Sequence, residues 1–283
     1  LSALDSSMLA AMEPDVMSGF SEHQIEHLSA DILGELDADH FNNFDADAIG
    51  ALTAEQVSAL PASIFTEEYV GDYAIQQLAN LSVDAVGGLT AEQIAHYPPE
   101  AVLNGFTPEF IEAIDADVIG ALTADQVGNI GSIAWREIDA DTLGAISPDS
   151  MTQFTDLGSV GEEAFSGLTA DHISALPGQA FQELSHYQIS NLDPSVMSAF
   201  TADNIEALPA QAFSAFTEDH ITNLQAETFE SFNNQDVSNL QPEALSALDS
   251  SMLAAMEPDV MSGFSEHQIE HLSADILGEL DAD

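Results

Sequence analysis

Five Asp-Ala-Asp corners carry most of the potential chemistry in this sequence: Asp37/Asp39, Asp45/Asp47, Asp115/Asp117, Asp139/Asp141 and Asp281/Asp283. Two carboxylates flanking one small residue offer several hard oxygen donors. Weak Ca²⁺ sites are therefore expected at Asp37, Asp39, Asp45, Asp47, Asp115, Asp117, Asp139 and Asp141 if neighbouring corners stack. A second reading fits the same positions. The first aspartate suits the N-cap of a short helix, and the second complements the positive end of its dipole. EF-hand spacing and glycine-rich Ca²⁺-binding nonapeptides are both missing. The expectation is diffuse binding of Ca²⁺ or other cations, with no cofactor required.

Among the nine histidines, His23 and His27 recur as His267 and His271. Each pair is four residues apart and shares a helix face, but no third zinc ligand has compatible spacing. His40, His172 and His220 fill a slot held elsewhere by Gln or Asn, which reads as a hydrogen-bonding ladder. Catalysis finds little support. There is no cysteine, no nucleophile elbow and no glycine-rich phosphate loop, so the chain is expected not to be an enzyme. Trp135–Arg136 and Tyr69–Tyr73 are irregular spots read as contacts between neighbouring chains. The alternative for the first is a core aromatic, with Arg136 neutralising nearby acids.

The elements that must hold these residues follow an eight-residue period. Thr53–Leu60 reads TAEQVSAL, Thr123–Ile130 TADQVGNI, Thr169–Leu176 TADHISAL and Gln241–Leu248 QPEALSAL. Position 1 is a capping residue or proline, position 2 is Ala or Pro, and position 3 is often acidic. Positions 5 and 8 are apolar. This is the grammar of a helix start, and Thr53 with Gln56 completes a capping box. All 11 prolines fall at position 1 or 2, for example Pro61, Pro108, Pro148, Pro194 and Pro242. A proline inside a helix costs about 3 kcal/mol, so the chain breaks at each octad boundary and one long helix or coiled coil is excluded.

Helices of one or two turns do not survive alone in water and must stack. Position 4 alternates between a polar class (Gln56, Gln93, Gln126, His172, Gln188, Asn204, His220, Asp236) and an apolar one (Ala48, Ile64, Ala85, Val118, Ala180, Ala212, Ala244). The expected fold is all-α: a compact α-solenoid of short helices. Its coil is expected to take two octads, about 16 residues, with one amphipathic and one more buried helix. A β-solenoid is the runner-up, disfavoured because apolar positions are spaced 3 then 5 and alanine is abundant.

The longest repeat is exact. Leu1–Asp39 recurs letter for letter as Leu245–Asp283, so the unit is 244 residues and the sequence reads as a window on a tandem array. Residues 1–283 are expected to form a single continuous solenoid, a rod without linkers.

The chain carries 50 Asp and Glu against one Lys or Arg, a formal net charge of −49, while 45% of its residues are hydrophobic. That apolar content is enough for a core, so disorder is not expected. Such charge repels nucleic-acid phosphates and anionic lipid, so neither is expected as a partner. No apolar run is long enough to span a membrane.

The octads TAEQVSAL, TAEQIAHY and TADQVGNI resemble the short TPEQIAAL-type repeats of very large bacterial surface and secreted proteins. The resemblance implies an extracellular or cell-surface, elongated bacterial protein. The octad openings also look like TAL-effector repeats, but those run along DNA with basic residues, which this chain lacks. The functional expectation is a structural repeat protein forming an extracellular filament, sheath or surface fibre by self-association of lateral or axial copies. The alternative is the stalk of a giant adhesin, with any surface ligand held by domains outside this sequence.

Overall fold

The computed structural model describes residues 8–9, 11–65, 80–99, 102, 106–273 and 276–277. Among them every regular element is helical and none is a strand, so the chain is an all-helical solenoid of short, repeatedly packed helices and the β-solenoid alternative falls. The chain divides into two compact units. The first comprises Leu1–Ile138 with Ala145–Ser150, and the second Asp139–Gly144 with Met151–Asp283.

In the second unit the two octad classes become two kinds of helix. Octads with a polar position 4 are α-helical, as in Ala202–Ala207, Glu218–Asn223 and Asn234–Asn239. Those with an apolar position 4 are 3₁₀ at Ala210–Ala215 and Pro242–Ala247, as is Ala226–Ser231 with Thr228 there, whereas Ser250–Ala255, with Met252 there, is α-helical. In neighbouring octads of this unit the first turn closes differently. In Thr217–Leu224 the Thr217 hydroxyl takes the amide of His220, and the Thr217 carbonyl accepts the next amide, from Ile221, at 3.1 Å. That closes an α-turn. In Pro209–Phe216 no side chain caps the first turn, and the Pro209 carbonyl accepts directly from the Ala212 amide at 2.8 Å, a 3₁₀ turn.

Both classes bury the same positions. In Thr201–Leu208 these are Asn204, Ile205 and Leu208; in Gln225–Phe232 they are Thr228, Phe229 and Phe232. The expectation of one more buried helix is therefore corrected. The classes differ in what fills the buried position 4, a capping-box polar side chain or, Thr228 apart, an apolar one, and not in how much they bury. Rows of Phe, Leu and Ile from positions 5 and 8 form the core, with Phe213 stacked edge-on against Phe232 at 5.1 Å.

Octads pack on the octads three before and three after them. Glu218–Asn223 lies on Pro194–Ala199 and on Pro242–Ala247, and Ala202–Ala207 lies on Gly178–Phe181 and Ala226–Ser231. Hydrogen bonds reach back four octads, as described below. The 16-residue alternation is thus the repeat, but two octads do not close a coil. One turn takes between three and four, as the packing three octads away and the hydrogen bonds four octads back together require. Tight approach between turns marks a few positions, such as Gly167, whose Cβ would collide with the Ala140 carbonyl.

Candidate functional site

The polar position-4 residues are buried: Gln56, Gln93, Gln126, His172, Gln188, Asn204, His220, Asp236 and Gln268 are each at most 4% exposed. Buried polar groups need partners, and here each glutamine serves two turns of the stack. Gln126 Oε1 accepts the Thr123 amide at 2.8 Å, completing the capping box of its own octad. Its Nε2 donates to the carbonyls of Ile94 at 2.7 Å and Tyr97 at 2.6 Å, one turn earlier. Gln56 does the same to Ile25 and Leu28, both at 2.8 Å. Gln93 reaches Val57 at 2.8 Å and Leu60 at 2.7 Å. These acceptors are positions 5 and 8 of the octad four back. One carboxamide therefore caps a helix, satisfies two buried carbonyls and fixes the register between turns.

Histidine fills the same slot with different protonation. In His220, Nδ1 accepts the Thr217 amide at 3.1 Å, so the proton sits on Nε2, which faces the Leu192 carbonyl at 3.4 Å. Burial pushes this imidazole below the ordinary histidine range, with the Leu192 carbonyl opposing. In His40, Nδ1 meets the Asp37 carboxylate and Nε2 meets the Met12 carbonyl at 3.0 Å. Both ring nitrogens must then donate, which only the imidazolium does. Burial works against His40, but its hydrogen bonds to Asp37 and Met12 outweigh it and raise its pKa. The paired Asp37, although burial acts to raise it, is held below the usual carboxylate value by the His40 amide and ring.

Asp236 is the misfit. It caps its own octad by accepting the Asn233 amide at 2.9 Å. Its carboxylate has no proton to offer in a slot where Gln donates, and burial raises its pKa to about 6.

The aspartate corners divide. Asp37 accepts the His40 amide at 2.9 Å, and Asp139 accepts the Thr142 amide at 2.8 Å, so both are N-caps. The Asp139 carboxyl is held low by its bonds to the Thr142 side chain and amide. Asp45 and Asp115 occupy N-cap positions without a side-chain cap bond, and Asp47 and Asp117 lie in the first turns that follow. Asp39 and Asp141 are the first-turn acids of their helices. All eight are exposed. Asp45 and Asp47 line a surface cleft with Glu22 and His23; among the described residues, no three His, Cys, Asp or Glu side chains converge as a metal-binding group.

Trp135 is only 1% exposed, so its ring belongs to the core: the core-aromatic reading holds and the inter-chain contact falls for this residue. Its octad places it at position 5, which faces inward in most octads. Arg136, at position 6, is exposed. Tyr69 and Tyr73 lie outside the described residues. Of the two histidine pairs, His23, His27 and His267 are exposed and His271 is half-buried. The His23 and His27 ring centroids are 4.5 Å apart and those of His267 and His271 5.1 Å, both edge-to-face.

No family model matches this chain, and no curated protein matches it. Among solved structures, the chain is similar to the leucine-rich repeat-containing protein LegL7 from Legionella pneumophila. The identity is 10%, covering 90% of this chain and 89% of that one, with a TM-score of 0.17.

The sequence marked position 4 as polar and alternating, and it suggested a ladder for the histidines. It did not show that each glutamine rung reaches two or more carbonyls one turn back, nor that Asp236 would put a buried carboxylate in a slot where glutamine donates. The signal was present in the flanking apolar residues at positions 5 and 8, which leave position 4 no route to solvent.

Proposed function

We propose that this chain is a structural repeat protein that builds an extracellular filament, sheath or surface fibre from stacked acidic turns. One observation carries the reading. Residue 245 begins the second copy of the 244-residue unit, and the ladder crosses that boundary. Gln268, in the second copy, donates to the Val237 and Leu240 carbonyls of the first at 2.7 and 2.8 Å. The 3₁₀ helix Pro242–Ala247 straddles the boundary itself. Joining two units thus uses the same chemistry as adding any other turn, which suits a protein whose length is its purpose.

The acidic exterior supports the same reading. A charge of −49 keeps such a protein soluble and leaves association to depend on cations that screen it. Negative-stain microscopy of native material tests the proposal. Ordered fibres of uniform width are expected; single tethered rods would favour an adhesin stalk, and globular particles would overturn both.

A further inference from the structure

The fold consumes the ring nitrogens of several histidines. His40 and His220 are rungs, His96 Nδ1 contacts the Glu92 carbonyl at 2.7 Å, and His186 Nδ1 contacts the Ser214 hydroxyl at 2.9 Å. His172 is buried in the same slot as His220. His23, His27, His267 and His271 are different. They project from surface turns, and among the described residues none of their ring nitrogens bonds to another element of the fold.

The two turns are identical in sequence, His-Gln-Ile-Glu-His, and nearly identical in geometry despite their different places in the chain. Each is anchored from beneath by a capping box, Ser21–Gln24 and Ser265–Gln268. In each, the rings of residues four apart meet edge-to-face at 4.5 and 5.1 Å. In each, a glutamate sits beside Nδ1 of the first histidine: Glu26 Oε2 at 3.7 Å from His23, Glu270 Oε2 at 3.5 Å from His267. A carboxylate on Nδ1 is the usual outer partner of a metal-ligating imidazole, because it fixes the tautomer and leaves Nε2 free to coordinate.

We propose that each His-Gln-Ile-Glu-His turn binds one divalent transition-metal ion through its two imidazoles, with Glu26 and Glu270 as positioning residues. Imidazole nitrogen selects Zn²⁺, Ni²⁺ and Cu²⁺ over the hard Ca²⁺ and Mg²⁺ that the carboxylate corners attract. Because no third protein ligand converges among the described residues, water completes the coordination, so the ion is exchangeable and is not needed for folding. The site recurs with the 244-residue unit, which spaces metal ions regularly along the array. None of this depends on filament formation.

The test is a Zn²⁺ titration of the full chain by calorimetry, with excess Mg²⁺ present to occupy the carboxylates, together with Cu²⁺ electron paramagnetic resonance. Two equivalents per chain are expected, with nitrogen hyperfine splitting from two imidazoles at each. His23→Asn with His27→Asn removes one equivalent, and His267→Asn with His271→Asn removes the other. His186→Asn changes nothing. Glu26→Gln weakens only the first site, by about 10-fold. A chain lacking all four histidines that still binds two equivalents would overturn the proposal. So would a wild-type copper spectrum with oxygen ligands alone.

Discussion

At the scale of single residues, the ladder makes the strongest claims. A glutamine rung such as Gln126 holds a cap and two inter-turn bonds at once. Gln126→Ala leaves the buried carbonyls of Ile94 and Tyr97 without that donor, and a stranded buried acceptor costs about 1–3 kcal/mol. Chemical denaturation of the variant should show a loss in that range or somewhat above it. An exposed neutral change such as Ser238→Ala should stay within about 0.5 kcal/mol.

Asp236 predicts the opposite sign. Its folded pKa, about 6, lies above the ordinary 3.8, so its contribution is fully present below pH 3.8 and is lost as pH rises through about 6. Asp236→Gln restores the donor and should stabilise the protein at pH 7 by on the order of 1–3 kcal/mol. The gain should vanish near pH 4. His220 runs the other way: its folded pKa is lowered by burial, so its contribution is present above pH 6.5 and is lost as pH falls through the depressed value. Denaturation midpoints of the Asp236→Gln and His220→Gln variants between pH 4 and 8 separate the two, and a pH-independent Asp236→Gln effect would contradict the account.

At the scale of elements, the alternation of α and 3₁₀ octads from Thr169 to Leu248 is the unit that this part of the stack counts. Excising residues 217–232 removes one of each and leaves every rung facing a turn of the correct class. Excising residues 217–224 alone brings two 3₁₀ octads together and puts the downstream rungs out of step. Circular dichroism melting should find the first deletion folded and cooperative, and the second strongly destabilised. Equal melting temperatures would refute the two-class account. Much of this was legible in the sequence: octad boundaries from the prolines, caps from Thr53 and Thr123, the alternation from position 4. The size of a turn was not, because capping chemistry describes a single octad and says nothing of the angle at its corner. That angle comes from packing between residues such as Phe213 and Phe232, in octads that local reasoning cannot pair. Trp135 shows the same limit: its rarity allowed a contact reading beside the core one, and its burial decides for the core.

At the scale of the molecule, the charge and the boundary-crossing ladder govern behaviour. With 50 acids against one cation, self-repulsion opposes compaction at low ionic strength, where the Debye length is about 30 Å at 0.01 M. The melting temperature should rise with NaCl and with millimolar Ca²⁺, and an identical value in low salt with chelator would count against diffuse cation binding. The central claim is that successive 244-residue units continue one stack without a linker. Small-angle X-ray scattering from chains carrying one, two and three units tests it most directly. An uninterrupted stack predicts a maximum dimension that grows by a constant increment per unit, with an unchanged cross-sectional radius. Growth that falls off toward the square root of unit number would show beads on flexible joints and contradict the account.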